Sequence, residues 1–520
     1  MSGLLPLLDA RQLVAPFSGH EAETAAGEIA GISRLTVYPR SIVAQDGRVY
    51  FVGRRGAEKL LCILSRQDSD GFRGETADTA HGARIKLCVR DRANASALAA
   101  ALPYLNPQCL GVCRSIGMGD RLGLATPGHI RAVRGSGVRP VFAQQSIREM
   151  TRADRTAEQV MEDALWGVFE EGFRDGFGAD ADHLKSTADL DVTLAAGFRM
   201  FTIDPGDHVD NAAGRESADV LAGKLKGIPW ADLETTEADC RKAFLGQAHR
   251  AGYDMDLSFD EETLLRAVVK YGRAVAHTKR MHRHLAQAAS GRPIEIEMSV
   301  DETDSPTTPH EHYYVAHELK RLGVPVVSLA PRFIGAFEKG IDYKGDLRAF
   351  EAAFVQHVQI ARRLGPYKIS IHSGSDKFSI YPIAAKHARE LLHLKTAGTS
   401  YLEALRTIAE VQPDLFREIL AFALDRYGED RASYHVSANP AAVPAPNQLP
   451  DRQLASVLSG NDGRQVLHVT FGSVLTVKDS LGNYRFRDRL LKALASNEDA
   501  HYEIVARHMR RHVEPFAEAR

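Results

Sequence analysis

The chain lacks any apolar run close to the roughly 18 residues that a membrane-spanning helix needs, and its amino terminus has no basic segment followed by an apolar stretch. It also lacks a strong charge of either sign, with 65 basic and 67 acidic residues among 520. This balance argues against a nucleic-acid partner or an anionic membrane surface. We therefore expect a cytoplasmic globular protein with neither nucleic acid nor membrane as a partner.

Cysteine is scarce as well. The five cysteines fit neither a disulfide framework nor a zinc finger, and we expect free thiols. No glycine-rich phosphate loop followed by lysine is present, and Gly117-Met118-Gly119 lacks the remaining spacing of a dinucleotide fingerprint. Histidine is abundant instead, with 21 residues, and several follow apolar, strand-like segments, where a neutral imidazole can bind a metal.

The order of predicted elements indicates an α/β fold. Residues 1–105 are predicted to form a β-rich accessory region, and 446–520 a helical extension. Between them, 106–445 alternate short strands with amphipathic helices and carry a helical insertion at 211–292, which predicts a (β/α)₈ TIM-like barrel. The eight predicted strands are Val112–Met118, Pro140–Gln145, Gly176–His183, Phe198–Asp204, Pro293–Val300, Val324–Ala330, Tyr367–His372 and Ser433–Ser437.

Polar residues recur at the carboxyl ends of these strands, where a barrel places its active site. The third strand ends in Asp182-His183-Leu184-Lys185. Because residues two apart share a face of a strand, apolar neighbours on the other face predict that His372 and His435 point into the barrel. The same alternation places Glu297 inside, whereas Glu302 lies at the end of its strand or caps the next helix.

Three histidines on separate strands, His183, His372 and His435, could hold a divalent cation such as Zn, Mn, Ni or Co. The alternative for each is a buried histidine bonded to a backbone carbonyl. Asp204 is a rival ligand, although its Asp-Pro-Gly-Asp sequence also fits a turn.

Cations at the strand ends suit a negatively charged small molecule, although surface solvation is the usual reason for such residues. The sequence predicts a substrate-binding set at this edge, with Arg148 and Arg332 as further cations. The set comprises Lys185, Arg121, Gln145, Asp204 and Lys377.

Several segments together resemble the tagaturonate/fructuronate epimerase family over about residues 110–440. They include 119–123, 144–149, 178–185, 204–209, 299–307 and 372–378. The resemblance implies a metal-dependent enzyme that interconverts the sugar acids D-tagaturonate and D-fructuronate, with relatives that act on uncharged ketohexoses. It further implies Asp182 as proton acceptor, His183 as metal ligand, a glutamate of the fifth strand as proton donor, and later strand-end histidines as further ligands.

The chemistry of that reaction favours carbon–carbon bond cleavage. The two sugar acids differ at a carbinol carbon whose C–H bond is acidified by neither the ketone nor the carboxylate. A retro-aldol route avoids this difficulty, with Asp182 as base, Glu302 or Glu297 as its counterpart and a metal stabilising the enediolate.

Other interpretations remain open at this stage. Transient oxidation by bound NAD would give the same product, although the dinucleotide fingerprint is missing. A metal-dependent aldolase or isomerase acting on a related ketose, and a non-catalytic barrel subunit of an aldolase, are further alternatives. The sequence also leaves open whether the protein forms oligomers.

Overall fold

A computed structural model describes residues 4–15, 19–67, 70–79 and 82–517 of the chain. The amino-terminal part forms a six-stranded antiparallel sheet in the order β1-β3-β4-β6-β5, with β2 pairing with β3. Helices α1 (Leu4–Leu8) and α2 (Gly19–Ser33) pack against it, and α3 (Arg92–Ala101) follows. The strands are β1 (Thr36–Val37), β2 (Val43–Gln45), β3 (Arg48–Arg55), β4 (Glu58–Ser65), β5 (Glu75–Asp78) and β6 (Arg84–Val89).

The central part is a closed barrel of eight parallel strands. They follow one another around the barrel in sequence order, and the last pairs with the first. They are β7 (Ser115–Met118), β8 (Arg139–Ser146), β9 (Gly178–Leu184), β10 (Met200–Ile203), β13 (Glu295–Ser299), β14 (Val326–Ala330), β15 (Lys368–Ile371) and β16 (Leu392–Thr396). The predicted α/β fold, a TIM-like barrel preceded by a β-rich region, is confirmed.

Helices lie between the successive barrel strands. They are α4 (Thr126–Val133), α5 (Ile147–Arg152), α6 (Ala157–Glu170), α7 (Thr187–Ala196), α10 (Glu261–Ala289), α11 (Pro309–Arg321), α12 (Leu347–Leu364) and α13 (Tyr381–Ala388). Helices α14 (Thr399–Val411) and α15 (Pro413–Asp430) follow the last barrel strand, β16. Between β10 and α10 lie α8 (Ala218–Lys224), α9 (Glu237–Phe244) and the small hairpin of β11 (Ala248–Arg250) and β12 (Asp256–Ser258). The chain ends in α16 (Asn461–Val469), α17 (Phe471–Thr476), α18 (Arg487–Ser496) and α19 (Glu498–Val513).

Seven barrel strands lie within or overlap their predicted ranges, but the eighth prediction is wrong. Ser433–Ser437 belongs to a 3-10 turn and an unpaired loop, and β16 closes the barrel instead. The sequence of β16 alternates leucine with His393 and Lys395, and those two side chains are buried inside the barrel. A lysine in so short a run is typical of a surface segment, because burial of a charge requires partners.

A helix cap after β9 fixes the length of the loop at the carboxyl end of that strand. At the start of α7, the Ser186 hydroxyl accepts a hydrogen bond from the Asp189 amide at 3.2 Å, and the Asp189 carboxylate accepts one from the Ser186 amide at 2.9 Å. This capping box places the N-cap of α7 two residues after β9 ends, so that Asp182 to Lys185 lie at the barrel rim. Within the described residues, none of the helices has the length and apolar character needed to cross a membrane.

Candidate active site

A β-bulge turns two consecutive residues of β9 toward the same site. Opposite Phe201 and Ile203 of β10, which are two residues apart, β9 places Ala181 and Leu184, which are three apart. His183, in the extra step, has a positive φ of 52°, a region that residues with a side chain seldom adopt. A bulge of this kind re-aims side chains beside active sites. As a result, Asp182 and His183 both line the central cavity, although neighbouring residues of a regular strand face opposite sides.

Lys395 of β16 is the centre of a buried charge cluster. Its ammonium lies 2.8 Å from Asp180, 2.7 Å from Asp182 and 2.7 Å from Glu297, and it donates to the Thr202 hydroxyl at 2.7 Å. Burial alone would lower the pKa of Lys395, but the three carboxylates outweigh it and hold that pKa well above its ordinary value. The ammonium is therefore charged at neutral pH and joins β16 to β9, β10 and β13.

His372, directly after β15, links two carboxylates of the β13 segment. Its Nε2 lies 2.7 Å from Glu297, and its Nδ1 lies 3.1 Å from Asp301. Burial lowers the pKa of His372, but the two carboxylates raise it to about 9. His183 bonds through Nδ1 to Asp182 at 2.8 Å, while its Nε2 is buried and has no hydrogen-bond partner.

The donor set of this site suits a divalent cation. Ligand atoms of Asp182, His183 and His372 lie within 4.8 Å of one another, and so do those of His183, Asp204 and Glu302. His183 belongs to both groups, and its unpartnered buried Nε2 faces the Asp301 carboxylate at 3.7 Å. Imidazole and carboxylate are the nitrogen and oxygen ligands that Zn, Mn, Ni and Co accept. The residues present therefore fit a divalent metal.

Two adjoining cavities open over this cluster. The inner cavity, about 50 Å³, is lined by Gln144, Asp182, His183, His372 and Lys395 among others. The outer cavity, about 500 Å³, is lined by Asp301, Glu302, Arg332 and Lys339 among others, and its size is that of a small-molecule site. The two cavities share part of their walls, which makes them one site with a narrow floor. The shared residues are Arg148, Lys339, His372, Ser373 and Tyr434.

The two glutamates predicted as alternatives occupy different depths. Glu297 is fully buried below the cavity floor, where its Oε1 contacts Lys395 and His372. Glu302 lies on the wall of the outer cavity, 4.0 Å from His183 and 3.3 Å from Arg148. Glu302 thus faces the space that a substrate would occupy, whereas Glu297 supports the floor.

Three of the predicted cations are already engaged with other groups. Lys185 lies 3.0 Å from Asp207, and Arg121 lies 2.7 Å from Glu149. The buried Lys377 ammonium donates to three backbone carbonyls, those of Glu338 at 2.8 Å, Ile341 at 2.5 Å and Ser375 at 3.0 Å.

Gln145 and His435 stand apart from the cluster. Gln145 follows Gln144, whose amide donates to Asp182 at 3.1 Å, so that strand alternation turns Gln145 to the other face. His435 is exposed on a loop and lines only the outer cavity. Its predicted inward position depended on the eighth strand that the structure replaces with β16. Among the described residues, it joins no group of potential metal ligands that includes His183 and His372.

Sequence reasoning assigned no role to four central groups: Gln144, Asp180, Asp301 and Lys395. Asp180 lies two residues before Asp182, and the period of a strand could have placed it inside the barrel. The same period applied to Leu392–Thr396 gives an inward His393 and Lys395. The contact between Lys395 and Asp180, in contrast, joins residues 215 positions apart in sequence, and no local pattern reveals it.

The loop that carries His372 is anchored by the carboxyl-terminal helices. Asp376, four residues further on, lies 2.7 Å from Arg464 of α16 and 2.7 Å from His508 of α19, and its backbone amide donates to His512 at 2.9 Å. All four side chains are buried. The position of His372 therefore depends on residues at the end of the chain.

Replacement of Asp376 by asparagine is expected to lower the free energy of unfolding by about 3 kcal/mol at pH 7, because it removes the nearer of the two carboxylates that balance the buried Arg464 guanidinium and leaves only Glu403 at 3.4 Å. Burial raises the pKa of Asp376, but Arg464 and His508 hold it well below its ordinary value. The carboxylate therefore stabilises the fold above its unfolded pKa of about 4, and this contribution is lost as pH falls below that value.

Urea unfolding at several pH values tests this expectation, with Asp451→Asn as a control. Asp451 pairs with Arg417, but its side chain is 67% exposed, so that a change of less than about 1 kcal/mol is expected. The difference in the free energy of unfolding between wild type and Asp376→Asn should be largest and constant from pH 6 to 8, and it should decrease toward pH 3. A difference that does not vary with pH would contradict the assigned ionisation.

The fold and the site together define a class: a (β/α)₈ barrel enzyme with an acidic, histidine-containing site at the carboxyl ends of its strands. Comparisons with known proteins agree. The model of the tagaturonate epimerase family matches residues 38–516. The tagaturonate/fructuronate epimerase of Thermotoga maritima is 43% identical over 478 residues, which cover 92% of this chain and 96% of the relative.

Solved structures show the same likeness. The native crystal structure of the fructuronate-tagaturonate epimerase from Cohnella laeviribosi is 36% identical, has a TM-score of 0.88, and covers 96% of this chain and 99% of that one. The same enzyme with two glycerols superposes with a TM-score of 0.89, at 36% identity, with coverage of 96% and 100%. The chain belongs to the tagaturonate epimerase family, which confirms the resemblance noted in the sequence.

Proposed function

We propose that the protein interconverts D-tagaturonate and D-fructuronate by retro-aldol cleavage and re-formation of one carbon–carbon bond, assisted by a divalent metal. The observation that carries the proposal is the juxtaposition of the ionised Asp182, the two histidines and Lys395 around the inner cavity, which adjoins an outer cavity of about 500 Å³. Family membership over 38–516 supports the substrate pair.

His183 and His372 would hold the metal, with Asp204, Asp301 or Glu302 as carboxylate ligands near them. When bound there, a divalent cation would polarise the substrate ketone and stabilise the negative charge of the enediolate. The bulge in β9 supports this assignment, because it presents His183 to the cavity in a backbone conformation that costs free energy.

Asp182 would act as the base. Burial raises the pKa of Asp182, but His183 and Lys395 outweigh burial and keep it well below its ordinary value. The carboxylate is therefore ionised at neutral pH and able to accept the proton of the carbinol hydroxyl. The bond between the carbinol carbon and its neighbour on the ketone side then breaks, and its electron pair passes to the ketone fragment. Rotation of the aldehyde, attack on its other face and return of the proton complete the epimerisation.

Glu302 is the better counterpart of Asp182. It faces the outer cavity near His183, where it can contact substrate hydroxyls. Glu297 touches neither cavity, and both Lys395 and His372 occupy its Oε1. In this proposal Glu297 positions the cations of the floor, and Glu302 exchanges the proton on the opposite side.

Solvent deuterium distinguishes the proposed route from deprotonation of the carbinol carbon. When D-tagaturonate is converted in D₂O, the product is expected to carry no deuterium at the epimerised carbon, because that C–H bond stays intact in a retro-aldol reaction. Position-resolved NMR of the product measures this, and protein stripped of nucleotide should remain active. Deuterium at the epimerised carbon would refute the retro-aldol step.

The activity itself is tested with purified protein, before and after treatment with a chelator. Conversion of D-tagaturonate to D-fructuronate should disappear with the metal and return when the metal is restored. If metal-loaded protein leaves D-tagaturonate unchanged, the substrate assignment fails. Release of three-carbon fragments as the main products would instead indicate an aldolase.

A further inference from the structure

A negatively charged substrate requires a binding group for its carboxylate, and the engaged cations leave few candidates. Lys185, Arg121 and Lys377 are occupied by carboxylates or carbonyls, as described above, and Arg148 pairs with Glu302 at 3.3 Å. A cation whose charge is already balanced gains less from a new anion, because the existing partner must be displaced or shared. The receptor for the carboxylate should therefore be a partly buried cation that faces the cavity and lacks an acidic partner, which sets aside the exposed Arg215 of the outer cavity.

Two cations of the loop after β14 meet this description. Among the described residues, neither Arg332 nor Lys339 has a carboxylate oxygen within 4.0 Å. Arg332 donates to the Asp301 carbonyl at 3.2 Å, and Lys339 donates to the Ser373 hydroxyl at 2.7 Å. Both side chains are half-buried and line the outer cavity. Partial burial strengthens a charge-assisted hydrogen bond relative to the same bond in water.

Lys339 lies between the outer cavity and the inner cavity that contains the proposed catalytic residues. Lys339 lines both cavities, together with His372 and Ser373, whereas Arg332 lines only the outer one. An anion held between them would lie beside the floor formed by Asp182 and His183. This arrangement allows the carboxylate to sit on the outer side while the ketone end of the sugar acid reaches the floor.

We propose that Lys339 and Arg332 bind the substrate carboxylate and hold the aldehyde fragment in place during epimerisation. The inference builds on the reaction proposed above. In that reaction the carboxylate belongs to the fragment that becomes the aldehyde, separated from it by one carbon. With the carboxylate fixed, rotation about the single bond next to the aldehyde carbon presents the other face. We call this pair of cations, Lys339 and Arg332, the clamp. It selects substrates that carry a carboxylate, and it acts as a pivot because it holds one end of the aldehyde fragment while the other end rotates.

Kinetics on a charged and an uncharged ligand test the clamp. D-tagatose carries a CH₂OH group where D-tagaturonate carries the carboxylate, and it serves as a substrate if it is converted and as a competitive inhibitor otherwise. Lys339→Met and the double variant with Arg332→Met should lower kcat/KM for D-tagaturonate by about 10- to 100-fold, the range expected for a charge-assisted hydrogen bond. For D-tagatose, kcat/KM if it is a substrate, or the inhibition constant if it is an inhibitor, should change less than about threefold.

Two further variants separate charge from structure. Lys344→Met lies in the same loop, where its ammonium pairs with Glu338 at 3.1 Å, and it should leave the ratio of the two constants unchanged. Lys339→Arg should restore most of the preference for the sugar acid. An equal loss for both ligands, or no loss for either, would overturn the clamp.

The pivot has its own readout. During turnover of D-tagaturonate, Lys339→Met should release three-carbon ketone and aldehyde fragments that wild type retains, measurable by a coupled reductase assay. If Lys339→Met loses the preference for D-tagaturonate over D-tagatose but releases no fragments, the pivot role is refuted, whereas the assignment of the carboxylate-binding site is retained. Deuterium at the epimerised carbon of the wild-type product would refute the retro-aldol reaction separately, since the selectivity ratio does not depend on the mechanism.

Discussion

Replacement of Lys395 by methionine is expected to lower kcat by about a thousandfold or more and the free energy of unfolding by about 3 to 5 kcal/mol. The ammonium of Lys395 lies within 2.8 Å of Asp180, Asp182 and Glu297, and removal of one partner from a buried ionic cluster leaves charges uncompensated. Without it, Asp182 and Glu297 repel each other and take up protons. A protonated Asp182 is no longer a base.

The loss of stability and the loss of catalysis can be separated. In the double variant Asp180→Asn/Lys395→Met, one charge of each sign is removed, so that unfolding in urea should show partial recovery while kcat stays low. Lys386→Met is the control, because the side chain of Lys386 is 68% exposed and its ion pair contributes little. Wild-type kcat in a folded Lys395→Met protein would show that the cluster is not needed for catalysis.

Replacement of His183 by alanine is expected to remove bound metal together with at least about a thousandfold of kcat, since charge stabilisation of the transition state is the largest contribution at such sites. His183 is common to both groups of potential ligands at this site, so that its removal leaves neither group with three donors. Metal content by elemental analysis and kcat for D-tagaturonate should fall together.

His435→Ala is the matched control for this variant. His435 lies on the same side of the molecule and lines the outer cavity, but it is exposed and belongs to no ligand group with His183 among the described residues. Its replacement should preserve metal content. A metal-replete, fully active His183→Ala protein would refute the metal site, whereas loss of metal in His435→Ala would restore the role that the sequence predicted for it.

The sequence predicted the barrel because its signal is local and repeated. The strands from β7 to β15 read as short apolar or alternating runs between amphipathic helices, and their polar ends identified Asp182, His183 and His372. The strand β16 was not predicted, because a lysine in a short segment indicates a surface position unless its buried partners are known. Those partners lie on other strands, and only the closed barrel brings them within hydrogen-bonding distance of Lys395.

The predicted cations show the same limit. Lys185, Arg121 and Lys377 stand at strand ends, as the sequence indicates, but the availability of a charge depends on what lies beside it. In the structure Asp207, Glu149 and three carbonyl groups occupy them. Arg332, which the sequence also placed among these cations, and Lys339, on the loop after β14, face the cavity without acidic partners. The sequence pattern predicts where a side chain lies along a strand or helix. Whether its charge is already paired with another group depends on the folded site.

The bonds from Asp376 to α16 and α19 also bear on the order of events during synthesis. His508 and His512 follow every barrel strand in the sequence and leave the ribosome after them, yet they hold the loop that positions His372. The strands of the barrel can pair as they emerge, since domains generally fold as units from the amino terminus. The loop with His372 gains its anchors only when α16 and α19 dock. Nascent chains should therefore contain a formed barrel with an unfinished active site, which keeps incomplete protein catalytically silent.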